Sequence, residues 1–152
     1  MSILIIADDL SGAADCAIGF ACAGMQTVVT LDPLHDKADA QVIAADTDTR
    51  RLSPAQAAER TVAAYKALQR PGQRLYKKID STLRGNWAAE VAALQPLAGL
   101  AIVAPAFPAT GRTLRGGRVC SSMASLWKPP IPGSSKTPIV RRMSRRCWWP
   151  QA

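Results

Sequence analysis

The sequence predicts a three-layer α/β/α fold built on a mostly parallel, Rossmann-like sheet. Three observations carry that expectation. The chain opens on a continuous apolar run of strand length, Ser2-Ile-Leu-Ile-Ile-Ala7, and such runs suit strands buried on both faces. Strand-like and helix-like segments then alternate, the pattern of βαβ units with helices on both faces of a sheet. Turn signals close several of these segments, at Gly24, Pro71-Gly72 and Pro105.

Taken in order, Ser11-Gly12 opens an Ala-rich helical stretch that runs to about Ala23 and is stopped by Gly24. Gln26 to Leu31 reads as a second strand, rich in β-branched residues, and Asp32 to Ala40 as a polar connection. Gln41 to Ala45 is a third strand. Ser53 can cap a helix whose first turn accepts Pro54 and which runs to about Gln69. Arg74 to Lys78 is a fourth strand, a helix follows from about Asn86 to Leu94, and Gly99 to Ala104 is a fifth strand.

The chain has 152 residues, enough for one domain with a real core. No apolar run reaches the roughly 20 residues that cross a bilayer. The apolar start lacks a basic flank and meets Asp8-Asp9 at once, so it does not read as a signal peptide; a cytoplasmic protein with no membrane partner is expected. Cys16, Cys22, Cys120 and Cys147 form no CxxC pair, and His35 is the only histidine. A zinc site needs clustered ligands, so no metal site is expected. Cys16 and Cys22 read as buried free thiols, and His35 as a solvated surface residue.

In a parallel sheet, ligands bind in the crevice at the carboxyl ends of the strands, so the polar residues after each strand matter most. The first loop is Ala7-Asp8-Asp9-Leu10-Ser11-Gly12. Adjacent carboxylates repel unless something positive or hydroxylated faces them, and ionised carboxylates accept several hydrogen bonds from a polyhydroxylated ligand. The helix start at Ser11-Gly12 favours anions. The loop from Lys77-Lys78 through Asp80, Ser81, Thr82 and Arg84 to Gly85-Asn86 offers hydroxyls and a guanidinium that can grip a carboxylate through two parallel bonds. Asp46-Thr47-Asp48-Thr49-Arg50-Arg51 mixes the same groups. Pro105 to Thr113 is stiffened by Pro and Gly. Plain structural readings stand beside these: a turn plus helix cap for the first loop, an internal Asp80–Arg84 pair for the second, ordinary turn residues for the third, and a shaped exit from the sheet for the fourth.

The ordered set ADDLSGAAD, DTDTR, KKIDSTLRGN and APAFPATGRT, spanning about Ile3 to Arg118, resembles the N-terminal domain of the four-carbon acid sugar kinases, which include threonate and 3-oxo-tetronate kinases. That resemblance implies a two-domain enzyme whose first domain binds a short sugar acid and whose second binds ATP with Mg²⁺. It also implies substrate-side roles for Asp8, Asp9, Lys78, Asp80, Ser81, Thr82, Arg84 and Gly85. Ser11 and Arg50 join them from the loop chemistry. Asp9 and Asp80 are the candidates for taking a proton from the accepting hydroxyl. Members of that family are more than twice as long as this chain, and no GxxxxGK[ST] loop occurs here. The fragment alone is expected to bind no nucleotide cofactor and to be inactive without a C-terminal nucleotide-binding domain.

The net charge of +8 belongs to the C-terminal part. Residues 1–100 hold 10 basic and 11 acidic residues, net −1, whereas residues 101–152 hold 9 basic and none acidic, net +9. By the resemblance, residues 1–118 are expected to form the sugar-acid-binding domain, and by their charge and composition 119–152 a disordered basic tail. A shifted reading frame is the expected source of the change. Back-translated with free wobble bases and read from its third base, Val119 to Pro130 gives Val-Leu-Val-Asp-Gly-Glu-Pro-Leu-Glu-Ala-Thr. Rival readings are a stand-alone sugar-acid-binding protein, a receiver-like phospho-acceptor domain, and a nucleic-acid-binding module that uses the tail. The receiver reading lacks its lysine, since the last strand ends Val103-Ala104-Pro105. A near-neutral folded part argues against specific nucleic-acid binding.

Overall fold

A computed structural model describes residues 1–36, 39–115 and 118–121. They fall into two compact units, Met1–Gly99 and one beginning at Leu100. The first holds four strands and three helices in the order β1 (Ser2–Ala7), α1 (Leu10–Cys22), β2 (Thr27–Thr30), β3 (Val42–Asp46), α2 (Pro54–Leu68), β4 (Gln73–Lys77) and α3 (Trp87–Ala98). The strands form one parallel sheet in the order β2-β3-β1-β4. Its register sets Ala7 opposite Asp46 and Ile6 opposite Lys77. The chain therefore leaves β1, β3 and β4 at nearly the same level, and the three following loops start along one edge.

The apolar run that opens the chain fills the middle of the sheet. Its side chains alternate between two clusters. Ile3, Ile5 and Ala7 pack with Val42, Ala44 and the α1 residues Ala13 and Ala17. Leu4 and Ile6 pack on the opposite face with Ile43, Ala45 and the α2 residue Leu68. Each fully buried Leu or Ile here contributes roughly 1.5–3 kcal/mol by leaving water. Helix α1 covers one face, α2 the other, and α3 packs on α2, which gives the three layers.

Helix starts follow local chemistry. The α1 cap is Asp9 rather than Ser11-Gly12: Asp9 Oδ1 accepts from Gly12 N at 2.9 Å. A Cβ at Gly12 would lie 2.8 Å from that oxygen, so the cap needs glycine there. Helix α2 begins as the sequence predicts, with Ser53 and Gln56 in a capping box and Pro54 in the first turn. Helix α3 runs past Leu94 and through Pro96 to Ala98. A proline this close to the end removes only one interior hydrogen bond, and Gly99 at φ 86° ends the helix.

The expected fifth strand, Gly99 to Ala104, does not form. No ladder includes it among the described residues, and Leu100 and Ile102 are exposed. A strand exists only as half of a pair, and apolar composition supplies the propensity without the partner. The second unit instead holds a 3-10 turn, Pro108–Thr110, and an antiparallel hairpin, β5 (Arg112–Arg115) with β6 (Arg118–Ser121). Regular structure thus crosses the boundary expected at residue 118. The remainder of the expected tail, residues 122–152, lies outside the described residues. Of the cysteines, Cys16 is half-buried and Cys22 exposed, both as free thiols, so the expectation of burial fails at Cys22, on the outer side of α1. His35 is exposed, as expected, and bonds Asp32. No helix among the described residues is long and apolar enough to cross a membrane.

The capping box makes a direct test. Ser53→Ala should lower stability by about 1 kcal/mol, read from the urea midpoint at unchanged slope; an unchanged midpoint would show that the box does not hold α2.

Candidate functional site

Arg50 lies at the centre of the edge where β1, β3 and β4 end. Its Nε donates to Asp8 Oδ2 at 3.0 Å and its Nη2 to Asp8 Oδ1 at 3.1 Å, a two-point grip. Its Nη1 lies 2.7 Å from Asp9 Oδ2, and Nη2 also lies 3.2 Å from Asp80 Oδ1. One guanidinium thus joins carboxylates from two loops. The paired aspartates after β1, which would repel each other alone, face a shared cation. The bonds to Asp8, together with the neighbouring carboxylates, raise the Arg50 pKa further above its ordinary value against the effect of burial.

Backbone bonds hold that guanidinium in place. Thr49 N and Arg50 N both donate to Asp8 O, at 3.1 and 3.3 Å. Gly85 makes room for the pair. At φ 80° it occupies the left-handed region, and a Cβ there would lie 2.7 Å from Asp8 Oδ2, so both conformation and space require glycine. Leu83, at φ 63°, also sits in the left-handed region, at a cost of roughly 1–2 kcal/mol.

Asp80 is what bends that loop. It accepts from Thr82 N at 2.8 Å, Thr82 Oγ1 at 2.5 Å and Arg84 N at 3.2 Å. Arg84 adds two parallel side-chain bonds, Nε at 3.0 Å and Nη2 at 2.8 Å. These bonds, the Arg84 side chain first, hold the Asp80 carboxyl well below the usual carboxylate range despite burial. A carboxylate so fully occupied is a poor proton acceptor. The internal Asp80–Arg84 pair is therefore present, and Arg84 remains mostly exposed, at 64% of its side chain. Asp9, at 25%, is the most accessible of the three carboxylates; Asp8 and Asp80 are at 3% and 5%.

The edge thus brings together Asp8, Asp9, Arg50, Asp80, Thr82, Arg84 and Gly85. Ser11 is exposed in the first turn of α1, and Ser81 and Thr82 are exposed on their loop. Lys78 is half-buried; its Nζ donates to Ile79 O at 2.8 Å, and its stem passes beside Gly12. Asp46 ends β3 on the same edge but bonds Asp48 N instead of Arg50; burial raises its pKa. The fourth loop belongs to the second unit, where Arg112 Nε donates to Pro105 O at 2.8 Å and its guanidinium lies 5.9 Å from the Phe107 ring centre.

Sequence reasoning missed the layer beneath. Glu90 on α3 is fully buried. Its Oε1 accepts from Thr49 Oγ1 at 2.5 Å, and its Oε2 lies 2.9 Å from Lys77 Nζ. Thr47 Oγ1, 3.1 Å from Thr49 Oγ1, donates to Ala7 O at 2.7 Å. Asn86 Nδ2 donates to Thr49 O and Leu52 O. The available signal was a lone glutamate inside the apolar helix WAAEVAALQPLA.

A family model described as the sugar-binding N-terminal domain matches residues 3–144. The chain belongs to that family. Among its relatives, the D-threonate kinase of Cupriavidus necator is 67% identical over 120 residues, covering 77% of this chain and 29% of that enzyme. The 3-oxo-tetronate kinase of Burkholderia multivorans is 33% identical over 155 residues, covering 93% of this chain and 36% of that enzyme. A crystal structure of a domain of unknown function from Bordetella bronchiseptica, a domain-swapped dimer with bound citrate, superposes with a TM-score of 0.68 at 42% identity, over 79% of this chain and 33% of that one. The chain thus spans about a third of the length of these relatives.

The depressed Asp80 pKa gives a signed prediction. Its stabilisation is fully present above the unfolded carboxylate value near 3.9 and is lost as pH falls toward the lower folded value. The difference in urea midpoint between wild type and Asp80→Asn should hold steady from neutral pH down to about 5 and close below about 4. A difference independent of pH would contradict the ionised, fully bonded Asp80.

Proposed function

We propose that this edge binds a four-carbon sugar acid of the threonate, erythronate or 3-oxo-tetronate type, as the acid-binding part of an ATP-dependent kinase. The observation that carries the reading is the Arg50-centred cluster, in which the exposed Arg84 guanidinium pairs with Asp80 and the most accessible carboxylate, Asp9, pairs with Arg50. Arg84 supplies donors for the acid's carboxylate. Asp9 accepts from the hydroxyls, and exposed Ser11, Ser81 and Thr82 line the approach. The kinase relatives act on acids of this class by their names, and the citrate in the Bordetella structure is itself a hydroxy acid.

Of the two candidates for proton transfer, Asp9 is the better placed. Asp80 spends its lone pairs on its own loop. Asp9 is more open, but it also caps α1 and faces Arg50, so it serves first to orient a hydroxyl. The kinase reading implies ATP with Mg²⁺, and the residues of this edge do not fit that metal. Asp8, Asp9 and Asp80 are turned onto guanidinium groups, and no group of three or more His, Cys, Asp or Glu among the described residues is arranged to hold a metal ion. In this reading the nucleotide and its metal are bound by the remaining length of the kinases. The 152-residue chain alone binds the acid weakly, because an open edge leaves the charges under high-dielectric screening, and it does not transfer phosphate.

Titration of the 152-residue protein with D-threonate should give a dissociation constant of about 1 mM. Arg84→Ala should weaken it about tenfold, and no threonate-dependent ATP consumption should appear. Absence of binding, or ATP turnover that Asp9→Asn abolishes in this chain alone, would overturn the reading.

A further inference from the structure

The Lys77–Glu90 pair connects with the edge cluster through Thr49, the residue before Arg50. Glu90 is fully buried, and the Lys77 side chain is 7% exposed. Removing two such charges from water is costly, and an apolar pair of similar volume often serves stability as well. Pure fold stabilisation is therefore a poor account of this pair. Its bonds give a better one. Glu90 Oε1 takes the Thr49 hydroxyl, and the next residue along the chain is Arg50. Thr49 Oγ1 lies beside Thr47 Oγ1, which is tied to Ala7 O, the carbonyl before Asp8. Lys77 ends β4 and donates to Lys78 O at 3.0 Å. The pair thus touches the ends of β4 and α3 and, through Thr49, the backbone that carries Arg50.

We infer that Glu90 is a positioning residue: by gripping the Thr49 hydroxyl while held by Lys77, it sets the backbone from which Arg50 grips Asp8, Asp9 and Asp80. The inference deepens the acid-binding reading and rests on it only for its functional consequence. The geometric part concerns Arg50 alone. Lys77 acts as the counter-charge that keeps the Glu90 carboxylate in place. Thr49 is the link, and its hydroxyl does what neither a methyl group nor the backbone can do at that point. Thr49 is itself fully buried, so water cannot replace the lost bond at low cost.

The test uses the full chain and reads the Arg50 Nε–H resonance by ¹⁵N NMR, assigned by its loss in Arg50→Lys. Thr49→Val keeps the shape but removes the hydroxyl, and Thr49→Ser restores it. In Thr49→Val, protection of the Arg50 Nε–H from solvent exchange should fall about tenfold, while Thr49→Ser should retain it. Glu90→Gln, which keeps an acceptor for Thr49 but loses the charge facing Lys77, should fall between them. Circular dichroism and the thermal midpoint establish that each variant is folded at the temperature used. Should Glu90→Gln fail to fold, Thr49→Val and Thr49→Ser still decide the matter. Equal Arg50 protection in folded wild type, Thr49→Val and Thr49→Ser would overturn the inference. The D-threonate titration separates it from the reading beneath it. Wild type that binds no threonate contradicts acid binding, whereas wild type and Thr49→Val that bind equally contradict positioning.

Discussion

Arg50 is the cation against which the paired carboxylates of the first loop are balanced. Asp8 and Asp9 follow one another directly after β1, an interior strand of the sheet. Alone, they would repel each other. Arg50 reaches from the loop after β3 and engages both, and it touches Asp80 from the loop after β4 as well. Much of the local detail follows from seating that guanidinium. Gly85 has no Cβ because Asp8 Oδ2 occupies that space. The Thr49 and Arg50 amides fold back onto Asp8 O.

The sheet register makes this possible. β1, β3 and β4 end level with one another, so the three loops meet without long excursions. In parallel sheets that edge is where ligands bind, and here it carries three carboxylates against two guanidinium groups. Such a balance suits a small ligand with both a carboxylate and hydroxyls. In the proposed reading the acid would engage the exposed guanidinium, and the hydroxyls the accessible carboxylate.

Much of this was legible in the sequence, and the part that was not has a physical explanation. The apolar run after Met1, the Ser53-Pro54 start and the placement of polar residues after each strand gave the four strands and the layers, because burial and capping leave local marks. The three loops were legible because chemistry-bearing residues cluster at strand ends. What local pattern cannot specify is pairing. Gly99 to Ala104 has strand composition and no neighbour, so it stays irregular with Leu100 and Ile102 exposed. Likewise Arg84 reads first as a ligand-binding arginine, with the internal Asp80 pair as the plainer alternative, and only geometry shows that pair formed. Glu90 was illegible for a related reason: a single charge in an apolar helix says nothing about the Lys77 and Thr49 groups, 13 and 41 residues away in the chain, that neutralise and use it.

A sugar acid bound at the Arg50 edge should perturb that edge rather than other parts of the domain. Backbone amide shifts on adding D-threonate test this most directly. The largest changes should fall on Asp9 to Gly12, on Arg50 and on Asp80 to Gly85, across three separate loops at once. Changes concentrated instead around Pro33 to Asp36 and Ala67 to Arg70, which line a separate depression between the loop after β2 and the end of α2, would contradict it.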